Sequence, residues 1–200
     1  MVCDINRMNS SPNLYVTSEI ERNCYDLFYN NSDIHIFEKW VYENNDLKSL
    51  LSKDDYLALL SLNYKTEYSH NEVYKIMMKY LDLSKFETKR VLDLLYKSLE
   101  TKELLPIMLP CLYHLYCNGY IFLQKIAIEY GLNCIVPPSN YKVNHWTKLT
   151  EFEKEEIINS FYPEIENDIK DVIELIENGK IILTGLKDDN DRYLFIDNKE

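Results

Sequence analysis

The sequence predicts a mainly α-helical fold: a multi-helix, bundle-like domain with a small C-terminal β-hairpin. Three observations predict it. Apolar residues recur at helical spacing, most regularly Val73, Ile76, Met77, Tyr80 and Leu81, and again Ile165, Ile169, Val172, Ile173 and Ile176. Three Ser/Thr-x-x-Glu signatures, at Ser69, Ser84 and Thr150, stand before apolar-periodic stretches. Such a pair can satisfy free backbone N–H groups at a helix start. Only near the C-terminus do two β-prone runs flank a turn: Lys180 to Leu186 and Arg192 to Asp197, around Lys187-Asp188-Asp189-Asn190-Asp191.

Taken in order, Met1 to Asn13 reads as a flexible tail, and residues 14–200 as one helical domain. Thr17 is placed to cap a helix running to about Tyr29. Asn30-Asn31-Ser32-Asp33 breaks it, and a second helix covers Ile34 to Tyr42. Asn44-Asn45-Asp46 signals a turn, and a short helix follows from Asp54 to Leu62. Ser69 and Ser84 then cap two helices, the second burying Phe86, Val91, Leu94, Leu95 and Leu99. Leu104 to Cys117 is apolar but holds Pro106 and Pro110. Proline suits a first helical turn, so a buried helix is expected from Pro110 to Cys117. Asn118-Gly119 ends or kinks it. Tyr120 to Tyr130 continues as helix, with Gly131 as a left-handed cap. Leu132 to Val136 is β-prone. Pro137 to Lys148 reads as a loop and a candidate sub-boundary. Thr150 opens a helix to about Phe161, and Pro163 starts another that Asn178-Gly179 ends.

Composition narrows the function. Hydrophobic residues make up 46% of the 200, enough for a real core. No apolar run approaches the roughly 18 residues that span a membrane. Five cysteines at irregular spacing do not read as a disulfide framework. A cytoplasmic protein is therefore expected. The net charge of −11 argues against nucleic acid, whose phosphates need clustered Lys and Arg, and suits a basic protein partner. Plentiful Asn, Lys, Ile and Tyr fit an AT-rich coding sequence, from a low-GC bacterium or a large DNA virus.

With glycine only at 119, 131, 179 and 185, no P-loop, dinucleotide fingerprint or nucleophile elbow can be written. Cys111-x-x-His114-x-x-Cys117 carries zinc-ligand types, with Cys134 as a distant fourth. The same residues could pair thiolate and imidazole. In an apolar helix, however, cysteine more often serves as a small core residue. Neither a metal, a cofactor nor a catalytic residue is assigned. His145-Trp146, beside Tyr141, offers an aromatic anchor, although Trp146 also fits a staple folded back before the Thr150 cap.

The strongest signal is Glu151 to Glu177: ten carboxylates against Lys154 and Lys170, a net −8 of the chain's −11. Successive helical residues turn by about 100°. With the isoleucine stripe inward, Glu164, Asn167, Asp171 and Glu174 must point outward. These acids, with Glu153, Glu156 and Trp146, are the candidate partner-binding residues. A solvated helix face is the plainer reading. Against it, repulsion among like charges one turn apart would be relieved by a basic partner.

Phe37 to Leu51, running on through Asp55 to Tyr64, and Leu149 to Glu156 with the Phe161-Tyr162-Pro163 break, together cover about a third of the chain. They resemble immunity proteins of bacterial polymorphic-toxin and contact-dependent inhibition systems. That resemblance implies a stoichiometric inhibitor, not an enzyme, which blocks a toxin domain. Many such toxins are nucleases with basic clefts, which an acidic face would suit. Helical, Asn- and Tyr-rich chains of this size also resemble viral host-interaction proteins, including Bcl-2-like inhibitors that bind a partner helix in an apolar groove. An enzyme would instead need a deep pocket with converging polar groups.

Overall fold

The computed structural model describes residues 19–30 and 32–198. The expected N-terminal tail and the Thr17 cap lie outside the described residues. Within them the chain is mainly α, with one antiparallel two-stranded hairpin at the C-terminal end. No helix among the described residues is long and apolar enough to cross a membrane. Packing divides the chain into two compact units between Phe86 and Glu87; residues 137–148 fall inside the second.

The first unit holds α1 (Glu19–Tyr29), α2 (Ile34–Glu43), α3 (Asp46–Leu50), α4 (Lys53–Ser61), α5 (Ser69–Met77) and the first turn of α6 (Leu83–Glu100). Its core gathers Leu27, Phe37, Val41, Leu59, Val73 and Met77, with the Tyr25 ring edge-on to Phe86 at 5.4 Å. Asp33 caps α2 by accepting the His35 N–H at 2.9 Å. The turn expected at Asn44-Asn45-Asp46 is instead the start of α3. The Asn44 side chain accepts the Asp46 N–H at 2.8 Å and so opens a one-turn helix that buries Leu47.

Two expected capping boxes do not form. Ser69 is buried inside its helix, and its hydroxyl donates to the Thr66 carbonyl at 2.7 Å, while Glu72 pairs with Lys75. The turn before α5 thus takes up the hydroxyl that would have capped it. At the next helix the start comes earlier: Asp82 accepts the Lys85 N–H at 3.1 Å, so Ser84 already lies within the helix.

In the second unit α7 (Leu105–Cys117) begins before Pro110 and keeps it inside. Pro106 sits in the first turn, where its missing N–H costs nothing. Pro110 removes one helical hydrogen bond, but buried Leu105, Met108, Leu109 and Leu112 hold the helix together on either side of it. The helix expected over Tyr120 to Tyr130 forms with irregular winding, a 3-10 turn, Ile121–Leu123, running on into a π-helix, Ile126–Gly131; a further 3-10 turn, Leu132–Cys134, replaces the expected strand. Gly131 is right-handed, with φ near −61°, so it is no left-handed cap. Its lack of a side chain serves packing: a Cβ there would stand 2.8 Å from the Leu109 carbonyl oxygen on α7.

Two helices and the hairpin complete this unit: α8 (Glu151–Ser160), α9 (Glu164–Glu177), β1 (Ile181–Lys187) and β2 (Tyr193–Asp197). The Thr150 capping box forms as expected: its hydroxyl accepts the Glu153 N–H at 3.3 Å, and the Glu153 carboxylate accepts the Thr150 N–H at 2.8 Å. In α9 every residue of the isoleucine stripe is buried. The hairpin pairs Ile181 with Asp197 and Leu183 with Phe195, with a bulge before Lys187. It is tied to the end of α7 where the Tyr193 N–H donates to the Asn118 carbonyl at 2.7 Å and the Tyr193 ring stacks on Tyr120.

Candidate functional site

The outward face of α8 and α9 is set by what those helices bury. Ile157 and Ile158 turn α8 inward, and the stripe from Ile165 to Ile176 does the same for α9. Glu155, Glu156, Glu164, Asp171 and Glu174 are consequently exposed. This places three of the expected contacts, Glu164, Asp171 and Glu174, on the surface of one helix.

Most of the ten carboxylates are already engaged. Glu151 pairs with Lys154 at 2.7 Å and Glu166 with Lys170 at 3.4 Å. Glu156 accepts the Tyr141 hydroxyl at 3.1 Å, Glu177 accepts that of Tyr96, and Glu174 accepts the Asn178 amide at 3.4 Å. Glu155, Glu164 and Asp171 make no hydrogen bond or ion pair among the described residues.

Two expected contacts also have local structural roles. Glu153 is half-buried in the capping box, and its hydrogen bonds from the Thr150 backbone and hydroxyl hold its carboxyl below the usual range. Trp146 is half-buried, in a 3-10 turn whose backbone N–H donates to the Ile135 carbonyl at 3.1 Å. His145 caps the same turn by accepting the Thr147 N–H. The loop still bears on the acidic surface, because Tyr141 orients Glu156.

Asp168 was not among the expected site residues, yet it joins α9 to the π-helix and the lysine just before it. Its carboxylate accepts the Lys125 ammonium and the Tyr130 hydroxyl, each at 2.6 Å. Burial alone would raise its pKa; those two hydrogen bonds outweigh burial and lower it below the ordinary 3.8. A folded-state pKa below the unfolded one stabilises the protein above the unfolded value, and that stability is lost as pH falls through the folded one. Asp168→Asn should therefore lower stability by about 1–2 kcal/mol at neutral pH, discounted because Lys125 is largely exposed. The gap between the thermal melts of the two proteins should narrow as pH falls below the ordinary 3.8. A constant gap across that range would mean the charge is not what matters.

Two hollows border the acidic helices. One, of about 440 Å³, is lined by Lys102, Glu103, Pro106, Lys154, Glu155 and Ile158 among others. The other, of about 330 Å³, is lined by Asp171, Glu174, Leu175, Asn178 and Lys180. The first has its cations committed: Lys102 donates to Asn159 at 2.9 Å and lies over the Tyr162 ring, and Lys154 is held by Glu151.

The cysteine and histidine set does not assemble into a site. Among the described residues no three His, Cys, Asp or Glu side chains are grouped to hold a metal ion. Cys111 is buried and disulfide-bonded, while Cys117 is exposed at the helix end. Burial pushes the Cys134 thiol up to about 12, so it is not a thiolate at neutral pH.

Sequence reasoning also missed Phe152. It is the most exposed large hydrophobic side chain among the described residues, at 74%. The Phe-x-x-Glu-Glu spacing on a helix with inward Ile157 and Ile158 was the available signal. No family model, curated protein or solved structure matches the chain.

Proposed function

We propose that this chain is a cytoplasmic immunity protein of a bacterial toxin system. It binds a cognate toxin domain stoichiometrically and covers a basic active-site surface with the outward carboxylates of α8 and α9. The observation that carries this reading is the α9 surface. Glu164, Asp171 and Glu174 stand exposed opposite a buried apolar stripe, and Glu164 and Asp171 make no hydrogen bond or ion pair among the described residues. Charges left in that state repel one another and favour a cationic partner by long-range attraction.

The test is kinetic. The variant Glu164→Gln/Asp171→Asn/Glu174→Gln should associate about tenfold more slowly than the parent with the cognate toxin domain, at low ionic strength. Its on-rate should also depend less steeply on salt, as stopped-flow mixing over a sodium chloride series would show. An unchanged on-rate and salt slope would make the acidic face ordinary solvated surface.

A further inference from the structure

We infer that the outer face of α8 is an arginine-specific docking surface, on which a guanidinium from the partner protein stacks over Phe152 and is held by Glu155 and Glu156. This rests on the immunity reading above and names the side chain that its acidic surface recognises.

The argument starts from the turn of the helix. At about 100° per residue, Ile157 and Ile158 on the buried side leave Phe152, Glu155, Glu156 and Asn159 on the opposite one. The burial pattern agrees, with all four exposed. Phe152 makes no ring contact among the described residues, and most of its ring is left to solvent. Glu155 and Glu156 follow it by three and four residues, the spacings at which helical side chains are neighbours. Among the described residues Glu155 makes no hydrogen bond or ion pair, and the hydrogen bond that Glu156 accepts from Tyr141 leaves acceptor sites open.

An aromatic face beside two carboxylates discriminates among cations. Arginine presents a flat, weakly hydrated plane to the ring and a fork of N–H donors to a carboxylate at the same time. Lysine offers a compact, strongly hydrated charge that can satisfy the acids but stacks poorly. The surface therefore selects arginine over lysine at equal charge, which a purely acidic patch would not do.

That difference is the test. An oligo-arginine and an oligo-lysine peptide of equal length, each fluorescently labelled, are titrated with the full chain and read by anisotropy. Oligo-arginine should bind more tightly, and the ratio of the two Kd values should fall about threefold in Phe152→Ala. Phe152→Leu keeps apolar area without the π-face and should show the same fall. Both variants should keep the parent melting curve, since the side chain they change is exposed. Glu164→Gln/Asp171→Asn/Glu174→Gln should weaken both peptides and leave their ratio alone.

A ratio unchanged in Phe152→Ala, or retained in Phe152→Leu, overturns the arginine surface. So does the absence of binding by either peptide. The immunity reading is judged separately, by the toxin association rates. It survives if the charge variant slows association while the peptide ratio ignores Phe152.

Discussion

Glu87→Ala is expected to cost about 3 kcal/mol of stability, because it removes one member of a buried, hydrogen-bonded ion pair. Glu87 is only 5% exposed at the point where α6 enters the second unit. Its carboxylate accepts the Arg90 Nε at 2.8 Å, a second bond from the same guanidinium, and the Tyr120 hydroxyl at 2.8 Å. The Tyr120 side chain is fully buried, and burial together with the Glu87 charge pushes its phenol far above the usual range, so it stays a neutral donor. Alanine would strip Arg90 of its nearest counter-charge and Tyr120 of its acceptor. The gain in helix propensity from alanine returns only about half a kcal/mol.

Three variants separate these contributions. Glu87→Gln keeps an acceptor for Tyr120 and loses the charge, so it should fall between parent and alanine. Tyr120→Phe removes one hydrogen bond and should cost about 1 kcal/mol. The double variant should be less unstable than the sum, by roughly the worth of the shared hydrogen bond. Urea midpoints at neutral pH read all of them. A loss below about 1 kcal/mol in Glu87→Ala would show that the buried pair only breaks even against its desolvation.

The parts of this molecule that could be read from its sequence are those governed by local period. The stripe from Ile165 to Ile176 repeats with the helix, so both the buried face of α9 and the exposure of Glu164, Asp171 and Glu174 follow from it. Thr150 and Glu153 lie within one four-residue span of local chemistry and behave as such. Ser69 has the same signature and fails, because the turn ahead of it offers the Thr66 carbonyl to its hydroxyl. The irregular winding of residues 120–134, and the absence of a strand there, have a different reason. Their irregular helix packs closely enough on α7 to exclude a Cβ at Gly131, and nothing in the local pattern reports a neighbour many residues away. Partners such as Glu87 with Tyr120, or Asp168 with Lys125 and Tyr130, are likewise set by tertiary packing. At the candidate site, charge density singled out α8 and α9, whose outward carboxylates the buried stripes leave exposed. It did not report that Glu153 is held in a cap and Trp146 in a turn, nor that Phe152, which carries no charge, stands exposed.

Gly119→Ala is expected to destabilise by about 3 kcal/mol, for two reasons that act together at the junction of α7 and the hairpin. Gly119 has φ near +118°, a conformation that residues with a Cβ adopt only under strain of about 1–3 kcal/mol. A Cβ there would also stand 2.7 Å from the Tyr193 carbonyl oxygen and 3.0 Å from its nitrogen. Both atoms are backbone, so no side chain can swing away. Relief requires moving β2, which would stretch the Tyr193 N–H bond to Asn118 and slide Tyr193 off the Tyr120 ring, now stacked at 4.9 Å. The loss should therefore appear in the hairpin before it appears in the helices. Amide exchange at Tyr193 should accelerate well beyond that at Ile169, whose side chain is fully buried in α9. Gly131→Ala makes a useful contrast, since its φ is ordinary and only the approach to Leu109 opposes it. There the helix propensity of alanine offsets part of the clash. If both alanine variants cost the same, the positive φ at Gly119 contributes nothing and the close approach to Tyr193 accounts for the whole effect.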